Sequence, residues 1–522
     1  MAIKKDVDLT LDGVLEHFVG KPRDIQVEAI EKSIAHYNNG AQYVVLEAPV
    51  GTGKSRIAHA MSRAMGDDSH ILTLTEQLQD QYIRDFSEMV ALKGRGKFTC
   101  ANAKATCAEG KHIFSGKHAC RNCPYKIARA KAMSASTMVS NYHSFLFNVS
   151  WAKGEETEDA KPPLRPLLVV DEAHSMENFL LDAIGVTVRL TKISALVPPP
   201  PDETESPEPY FDYITEELLP KFNEVLPSIT DPRSKDDLRD LISKLGRVIS
   251  TKDTVSWIPE RGTMFPKKDL DKTWFTLKPL NVAQWGQELW GFGRRQLFMS
   301  GTILSAYQFV SSVGLDPDQG EHVELDSPFP PENRPIYVGN LDMTKKARDE
   351  SWPHVLAMTE KLMSAHPNEK GLLLCPSNEM LKYIQKGLSR TNNGRLIFAA
   401  GADRALAYNR HLVGKSPTVL AASGYWEGAD LAGDASRFQI IPQAPRPMFQ
   451  GQIAARAKKP GGDDWYRWLT WQKFLQGTGR SVRSETDTAV TYCFDRELRR
   501  ELKRKDSMIP KWVQKACKLV GE

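Results

Sequence analysis

YVVLEAPVGTGKSRIAHAMSRAM, Tyr43 to Met65, decides how the chain folds. Tyr43 to Leu46 is apolar, β-rich and short, the pattern of a buried strand. Ala48-Pro49-Val50-Gly51-Thr52-Gly53-Lys54-Ser55 follows as a glycine-bearing turn, and a helical pattern opens at about Lys54. A strand, such a turn and a helix make the phosphate-cradling unit called a Walker A loop, here with Ala48 in place of the first glycine. Glycines let successive backbone N–H groups turn inward around phosphate oxygens, and the helix N-terminus adds its positive end. In that geometry Lys54 reaches the β- and γ-phosphates and Ser55 offers its hydroxyl to Mg²⁺, while Gly51, Thr52 and Gly53 line the phosphates. An ordinary glycine turn accounts for the loop but not for its two flanks.

Outward from this unit, HILTLTEQLQDQYIRDF is a second strand–helix pair and LLVVDEAH a third strand. Strands alternating with helices predict an α/β parallel sheet. After Ser175 the pattern turns mostly helical to about residue 265. Within that stretch lie four consecutive prolines, Pro198 to Pro201, then seven acids and no base from Asp202 to Glu217. Such a segment is solvent-exposed. From about residue 330 a second α/β series begins, with candidate strands GLLLCPS, RLIFAAG, TVLAAS, FQIIPQ and AVTYCFD. Two parallel-sheet units, the first carrying insertions, are the expected organisation, since 522 residues exceed what one core supports. No apolar run is long enough for a membrane span, and MAIKKDVDLTLDG lacks the apolar core of a signal peptide. A cytoplasmic protein with no membrane partner is expected.

Asp171-Glu172-Ala173-His174 closes the apolar strand LLVV. A carboxylate at a strand end can hold Mg²⁺, and the next one can orient and deprotonate an attacking water. Alone, a surface DEAH is unremarkable; beside a Walker loop it reads as the second half of an NTP-hydrolysing site. QGTGRSVR, Gln476 to Arg483, sets Arg480 and Arg483 three apart on one face of an expected helix. Arginines can stabilise charge on a transferring phosphoryl group, whereas the plainer reading is a salt-bridging surface helix.

Four of the chain's seven cysteines fall together as Cys100-x6-Cys107-x12-Cys120-x2-Cys123. Four thiolates with a close final pair hold either zinc or a [4Fe–4S] cluster, and spacing alone favours zinc. Net charge is only +4, but residues 91–135 carry ten Lys or Arg against Glu109 alone. That excess suits a phosphate backbone as well as it suits a solvated loop.

In this order the elements resemble the superfamily 2 helicases, and their details the iron–sulfur XPD/DinG family. KPRDIQ is similar to the adenine-side motif, with Gln26 as base reader. APVGTGKS, LTLTEQLQDQY and DEAH stand as motifs I, Ia and II, FMSGTIL resembles motif III, and GLLLCPS motif IV. KGRGKFTC (Lys93 to Cys100) is similar to the family's entry to its cluster, and SNYHSFL (Ser140 to Leu146) to its NYH segment. GYWEGADLAGD (Gly424 to Asp434) is similar to motif V, and QGTGRSVR to motif VI. The match runs from about residue 20 to 500. Ala48, Gly301, QAPRPMF and the short helical insertion depart from the family pattern.

The resemblance implies two RecA-like parallel-sheet motor domains, with a small iron–sulfur insertion and a mainly helical arch-like insertion in the first. Its expected boundaries are 1–92, 128–175 and 266–325 for the first motor domain, 93–127 for the cluster segment, 176–265 for the arch and 326–522 for the second motor domain. It implies ATP, Mg²⁺ and a 4Fe–4S cluster on Cys100, Cys107, Cys120 and Cys123. His174, Gln476, Gly428 and Asp430 join the nucleotide side, and Thr73, Thr75 and the loop around Trp426 are the expected DNA contacts. The implied activity is ATP-dependent 5′→3′ unwinding by a monomer on single-stranded or forked DNA, of the kind DNA repair uses; loading partners are not legible. An RNA or RNA–DNA hybrid helicase uses the same motor parts. A zinc-stabilised nucleic-acid-binding protein with a decayed motor also remains open. A fused nuclease does not fit the roughly 40 residues ahead of the motor.

Overall fold

The computed structural model describes residues 9–66, 68–113, 122–150, 162–189, 197–263, 273–388, 394–426, 431, 433–482 and 484–521. The opening stretch forms strand β1 (Tyr43–Glu47) and the helix Lys54–Ala64. β1 belongs to a sheet with β2 (Ser69–Thr73), β3 (Val90–Leu92), β4 (Thr137–Asn141), β5 (Arg165–Asp171), β9 (Gly293–Ser300) and β10 (Gly320–Glu324). Their order is β10-β1-β9-β5-β2-β4-β3, and every neighbouring pair is parallel. Helices cover both faces, so β1 and β2 are buried throughout and read as continuous apolar or small-residue runs. Successive residues feed opposite cores: Leu168 and Val170 pack on one side, Leu167 and Val169 on the other.

The second sheet joins β11 (Ile336–Leu341), β12 (Gly371–Leu374), β13 (Leu396–Ala399), β14 (Val419–Ala422), β15 (Phe438–Ile441), β16 (Val490–Asp495) and β17 (Cys517–Leu519). Its order is β13-β14-β12-β15-β16-β11-β17, again wholly parallel. These are two RecA-like lobes, as expected. All five candidate strands of the second series are present, and β11 and β17 extend the sheet beyond them.

The stretch after the DEAH strand differs from its mostly helical expectation. It does carry the helices Met176–Ile184 and Pro232–Ser250. It also contributes β6 (Val186–Arg189) and β7 (Trp257–Thr263), which flank β8 (Thr273–Pro279) in a three-stranded antiparallel sheet. The physical reason is visible in Val-Thr-Val-Arg, whose burial alternates residue by residue, the period of a half-covered strand. β8 lies downstream of residue 265, so this small sheet spans the boundary drawn from sequence.

Sheet register sets the site. β1 and β5 both pair with β9, with Glu47 opposite Ser300 and Asp171 opposite Met299. The loops leaving the carboxyl ends of β1, β9 and β5 therefore meet, where open parallel sheets bind ligands.

Candidate nucleotide site between the lobes

Gly51 and Gly53 both adopt positive φ, +84° and +79°, a region open to glycine at no steric cost. A Cβ on Gly53 would also stand 2.6 Å from Gln26 Nε2. The carbonyls of the loop turn away from its mouth: Arg23 Nη2 donates to Gly51 O and Thr52 O at 2.8 and 2.6 Å, and Gln26 Nε2 donates to Thr52 O at 2.9 Å. The Gly51 and Thr52 carbonyls are thereby held, while Thr52 N–H turns back onto Pro49 O at 3.2 Å within the loop. Thr52 is buried and its hydroxyl donates to Pro49 O at 2.5 Å. Lys54 Nζ lies 3.2 Å from Ala48 O, and Ser55 opens the helix behind it.

Gln26, the expected base reader, is engaged here with the phosphate loop and its own helix. Its Oε1 accepts from Arg23 N–H at 2.9 Å while its Nε2 serves Thr52, and the residue is buried. Both ends of the amide secure the loop. Arg23, in the same KPRDIQ segment, is the partner that sequence reasoning passed over; its place three residues before Gln26 was the available signal.

Asp171 ends β5 in a buried pocket. Tyr82 Oη donates to its Oδ2 at 3.1 Å, Glu172 N–H donates to its Oδ1 at 3.0 Å, and Tyr142 Oη donates to its carbonyl at 2.5 Å. Burial first, and the neighbouring Glu172 second, push its carboxyl up to about 6 against the pull of Lys54. Glu172 sits at φ +56°, a left-handed position that is uncommon and costly for a residue with a Cβ. Its Oε2 is 3.4 Å from His174 Nδ1.

His174 is the joint between the lobes. Its Nδ1 lies 2.9 Å from Ser300 Oγ, and Gln476 Nε2 approaches its Nε2 at 3.2 Å. An amide N–H can only donate, so Nε2 is the acceptor and Nδ1 carries the proton toward Ser300. Gln476 Nε2 also donates to Thr302 Oγ1, Gln472 Nε2 to Thr302 O at 3.1 Å, and Trp468 Nε1 to Ile303 O at 2.6 Å. The second-lobe helix Gly462–Thr478 thus docks on the loop after β9. Glu47, buried at the end of β1, receives Leu304 N–H on both oxygens at 3.0 Å and holds that loop from below.

Two expectations change. The helix carrying Gln476 ends at Thr478 and is capped by Gly479, so Arg480 lies beyond it rather than on its face. Its Nε donates to Trp426 O at 3.1 Å and it is buried. Trp426, which begins the loop expected to touch DNA, is itself buried and packs over Gly477, where a Cβ would come within 2.6 Å of its ring; residues 427–430 of that loop lie outside the described residues. Thr73 is also buried, its hydroxyl donating to Thr75 O at 3.0 Å, while Thr75 is exposed and caps the helix Glu76–Asp85. Arg483, Gly428, Asp430 and Cys120 lie outside the described residues.

Three cysteines of the group can be followed. Cys107 and Cys123 are buried, with sulfurs 3.5 Å apart. Cys100 Sγ presses on Gly110, where a Cβ would stand 2.6 Å away. Cys107 begins the helix Cys107–Ile113 and Cys123 precedes the helix Pro124–Ser134. Two of the sulfurs thus meet and Cys100 lies against the helix that Cys107 begins, but among the described residues no group of three His, Cys, Asp or Glu side chains is gathered closely enough to hold a metal ion. The basic excess nearby is partly neutralised, since Lys93 pairs with Asp80 and Lys97 with Glu76.

The family described as "Helicase C-terminal domain" matches residues 359–516, and that described as "Type III restriction enzyme, res subunit" matches residues 20–184. The chain is 22% identical over 234 residues to "ATP-dependent DNA helicase YoaA" of Escherichia coli (strain K12), covering 42% of this chain and 36% of that protein. It therefore spans little more than a third of that relative's length. Among solved structures, "XPD_Helicase" superposes with a TM-score of 0.63 at 14% identity, over 96% of this chain and 100% of that one. "S. tokodaii Xpd4" superposes with a TM-score of 0.56, also at 14% identity and over 96% and 100% of the two chains. No described helix is long and apolar enough to cross a membrane. With its paired parallel-sheet lobes, the chain shares the fold of these two structures, and the two family models fall one on each lobe.

Proposed function

We propose that the protein is an ATP-driven translocase on single-stranded DNA that unwinds duplex ahead of it, 5′→3′ by likeness to the XPD/DinG family. The hydrogen bond from Gln476 to His174 carries the proposal, because it ties the second lobe to the residue beside Glu172. Hydrolysis at such a site depends on how the lobes sit, and a cycle of lobe movement is what translocation needs.

In this reading the loop Gly51–Thr52–Gly53 and the helix behind Ser55 bind the triphosphate through backbone N–H groups. Lys54 leaves Ala48 O to meet the β- and γ-oxygens. Glu172 takes the proton of the attacking water, and His174, held by Ser300 and Gln476, orients Glu172. Mg²⁺ held by Ser55 and Asp171 would neutralise charge on the phosphates. Arg483 would add positive charge from the second lobe, with Arg480 fixing the turn that presents it. Cys100, Cys107, Cys120 and Cys123 would hold a 4Fe–4S cluster, whose contribution is to cross-link a segment too small for a core of its own.

Glu172→Gln tests the assignment of the base. ATP should bind with little change, and turnover should fall by about 10²–10⁴-fold. Single-turnover hydrolysis at the unaltered rate would remove Glu172 from this role.

A further inference from the structure

Residues 325–335 cross from β10 to β11 and so join the two lobes. Phe329 of this linker packs with Val482 and Ala489 in a small buried cluster. Arg334, near the linker's end, lies between aromatic rings: its guanidinium carbon is 4.1 Å from the Trp512 centroid and 5.5 Å from that of Phe329. Its Nη2 donates to Phe329 O at 2.9 Å, whereas its Nε is buried with no acceptor. No carboxylate among the described residues pairs with it, and burial alone pulls its pKa down to about 10. A guanidinium withdrawn from water costs free energy unless an anion or a full set of acceptors compensates.

Arg334 faces a cavity of about 50 Å³ shared with Pro49, Val50, Thr302, Thr478, Gly479 and Trp512. That is room for a few waters. One wall is thus the first half of the Walker loop, beside Ala48, whose carbonyl holds Lys54 Nζ. Another is Thr302, which shares Gln476 with His174. Lys54 and His174 do not line the cavity, but it adjoins the residues that flank both: Pro49 follows Ala48, which holds Lys54, and Thr302 shares Gln476 with His174. Arg23 and Gln26 hold the loop's carbonyls on the other side.

We propose that Arg334 is the linker's phosphate sensor: a positioning arginine whose unpaired charge favours lobe closure over a nucleotide with a third phosphate. This rests on the reading of the site as an ATP site. Acting through protein and water, one charge would change binding of a further negative group by about tenfold. Trp512 and Phe329 hold the guanidinium in place, so nucleotide occupancy is felt by the segment about which the lobes turn.

The test uses the full chain with its metal centre and the fluorescent nucleotides mant-ATP and mant-ADP. Arg334→Gln should weaken mant-ATP about tenfold and mant-ADP less than about twofold, with melting temperature little changed. Arg334→Lys keeps the charge and should retain most of the ATP-over-ADP preference. Equal losses for both nucleotides in Arg334→Gln would mean a packing role, and unchanged affinities no role; either overturns the sensor. Failure of the unaltered protein to bind mant-ATP would overturn the ATP site itself, and the sensor with it.

Discussion

Gly53 shows how tightly the phosphate loop is specified. It combines φ +79° with an approach that leaves no space for a methyl group beside Gln26. Gly53→Ala should impose about 1–2 kcal/mol of left-handed strain, a factor of about tenfold in nucleotide affinity. The helix content should be unchanged, and equilibrium binding of a fluorescent ATP analogue checks it; unaltered affinity would contradict the geometry. His70 offers a second test at this scale. It is buried in β2 with Nε2 2.7 Å from Pro163 O and its ring 5.4 Å from Phe145. Burial, and then the nearby Arg165, lower its pKa from 6.5 to about 3. The unfolded chain therefore takes up a proton below about pH 6.5 that the folded chain refuses. His70 thus contributes to a loss of stability as pH falls from 6.5 toward 3, by about 1.4 kcal/mol per unit. His70→Gln should flatten the pH dependence of the melting temperature between pH 6.5 and 5. An unchanged slope would show that some other group sets it.

At the scale of elements, the motor strands were legible because parallel strands buried on both faces leave unbroken apolar runs, as in Val44-Val45-Leu46 and Leu167 to Val170. β6 and β7 were missed because their alternating residues sit within a stretch dominated by helical spacing and proline. Arg480 was misread for a similar reason: the glycines that end the helix at Thr478 look, in sequence, like part of the motif. Thr73 points to a further limit, since a motif names a residue but not the side to which it turns. The cysteine segment is the clearest element-level test. Cys107 and Cys123 touch where two short helices begin, Cys107–Ile113 and Pro124–Ser134. Cys107→Ser should lose iron and its visible absorption and open residues 98–125 to protease, while ATP affinity stays within about twofold. Full iron content in the variant would contradict the assigned ligand, and zinc in the unaltered protein would replace the cluster without touching the motor.

Across the whole molecule, the two lobes are joined by buried polar contacts as well as by the linker. Glu177, on the helix that follows the DEAH strand, pairs with Arg456 of the second lobe and receives Trp465 Nε1–H at 3.1 Å. Arg456 also lies over the Trp465 ring at 4.1 Å. A buried ion pair is weak support for stability but a strict condition on geometry. Together with the bonds from Gln472, Gln476 and Trp468 to the loop after β9, it ties the strand that ends in Asp171 to second-lobe position. If a DNA strand biases that position, it must also change the rate of hydrolysis. Steady-state ATP turnover by the purified protein, with and without single-stranded DNA, measures that link directly. We expect a low basal rate that rises several-fold with the strand and loses its stimulation as salt weakens phosphate contacts. No ATP turnover with any strand supplied would contradict the account.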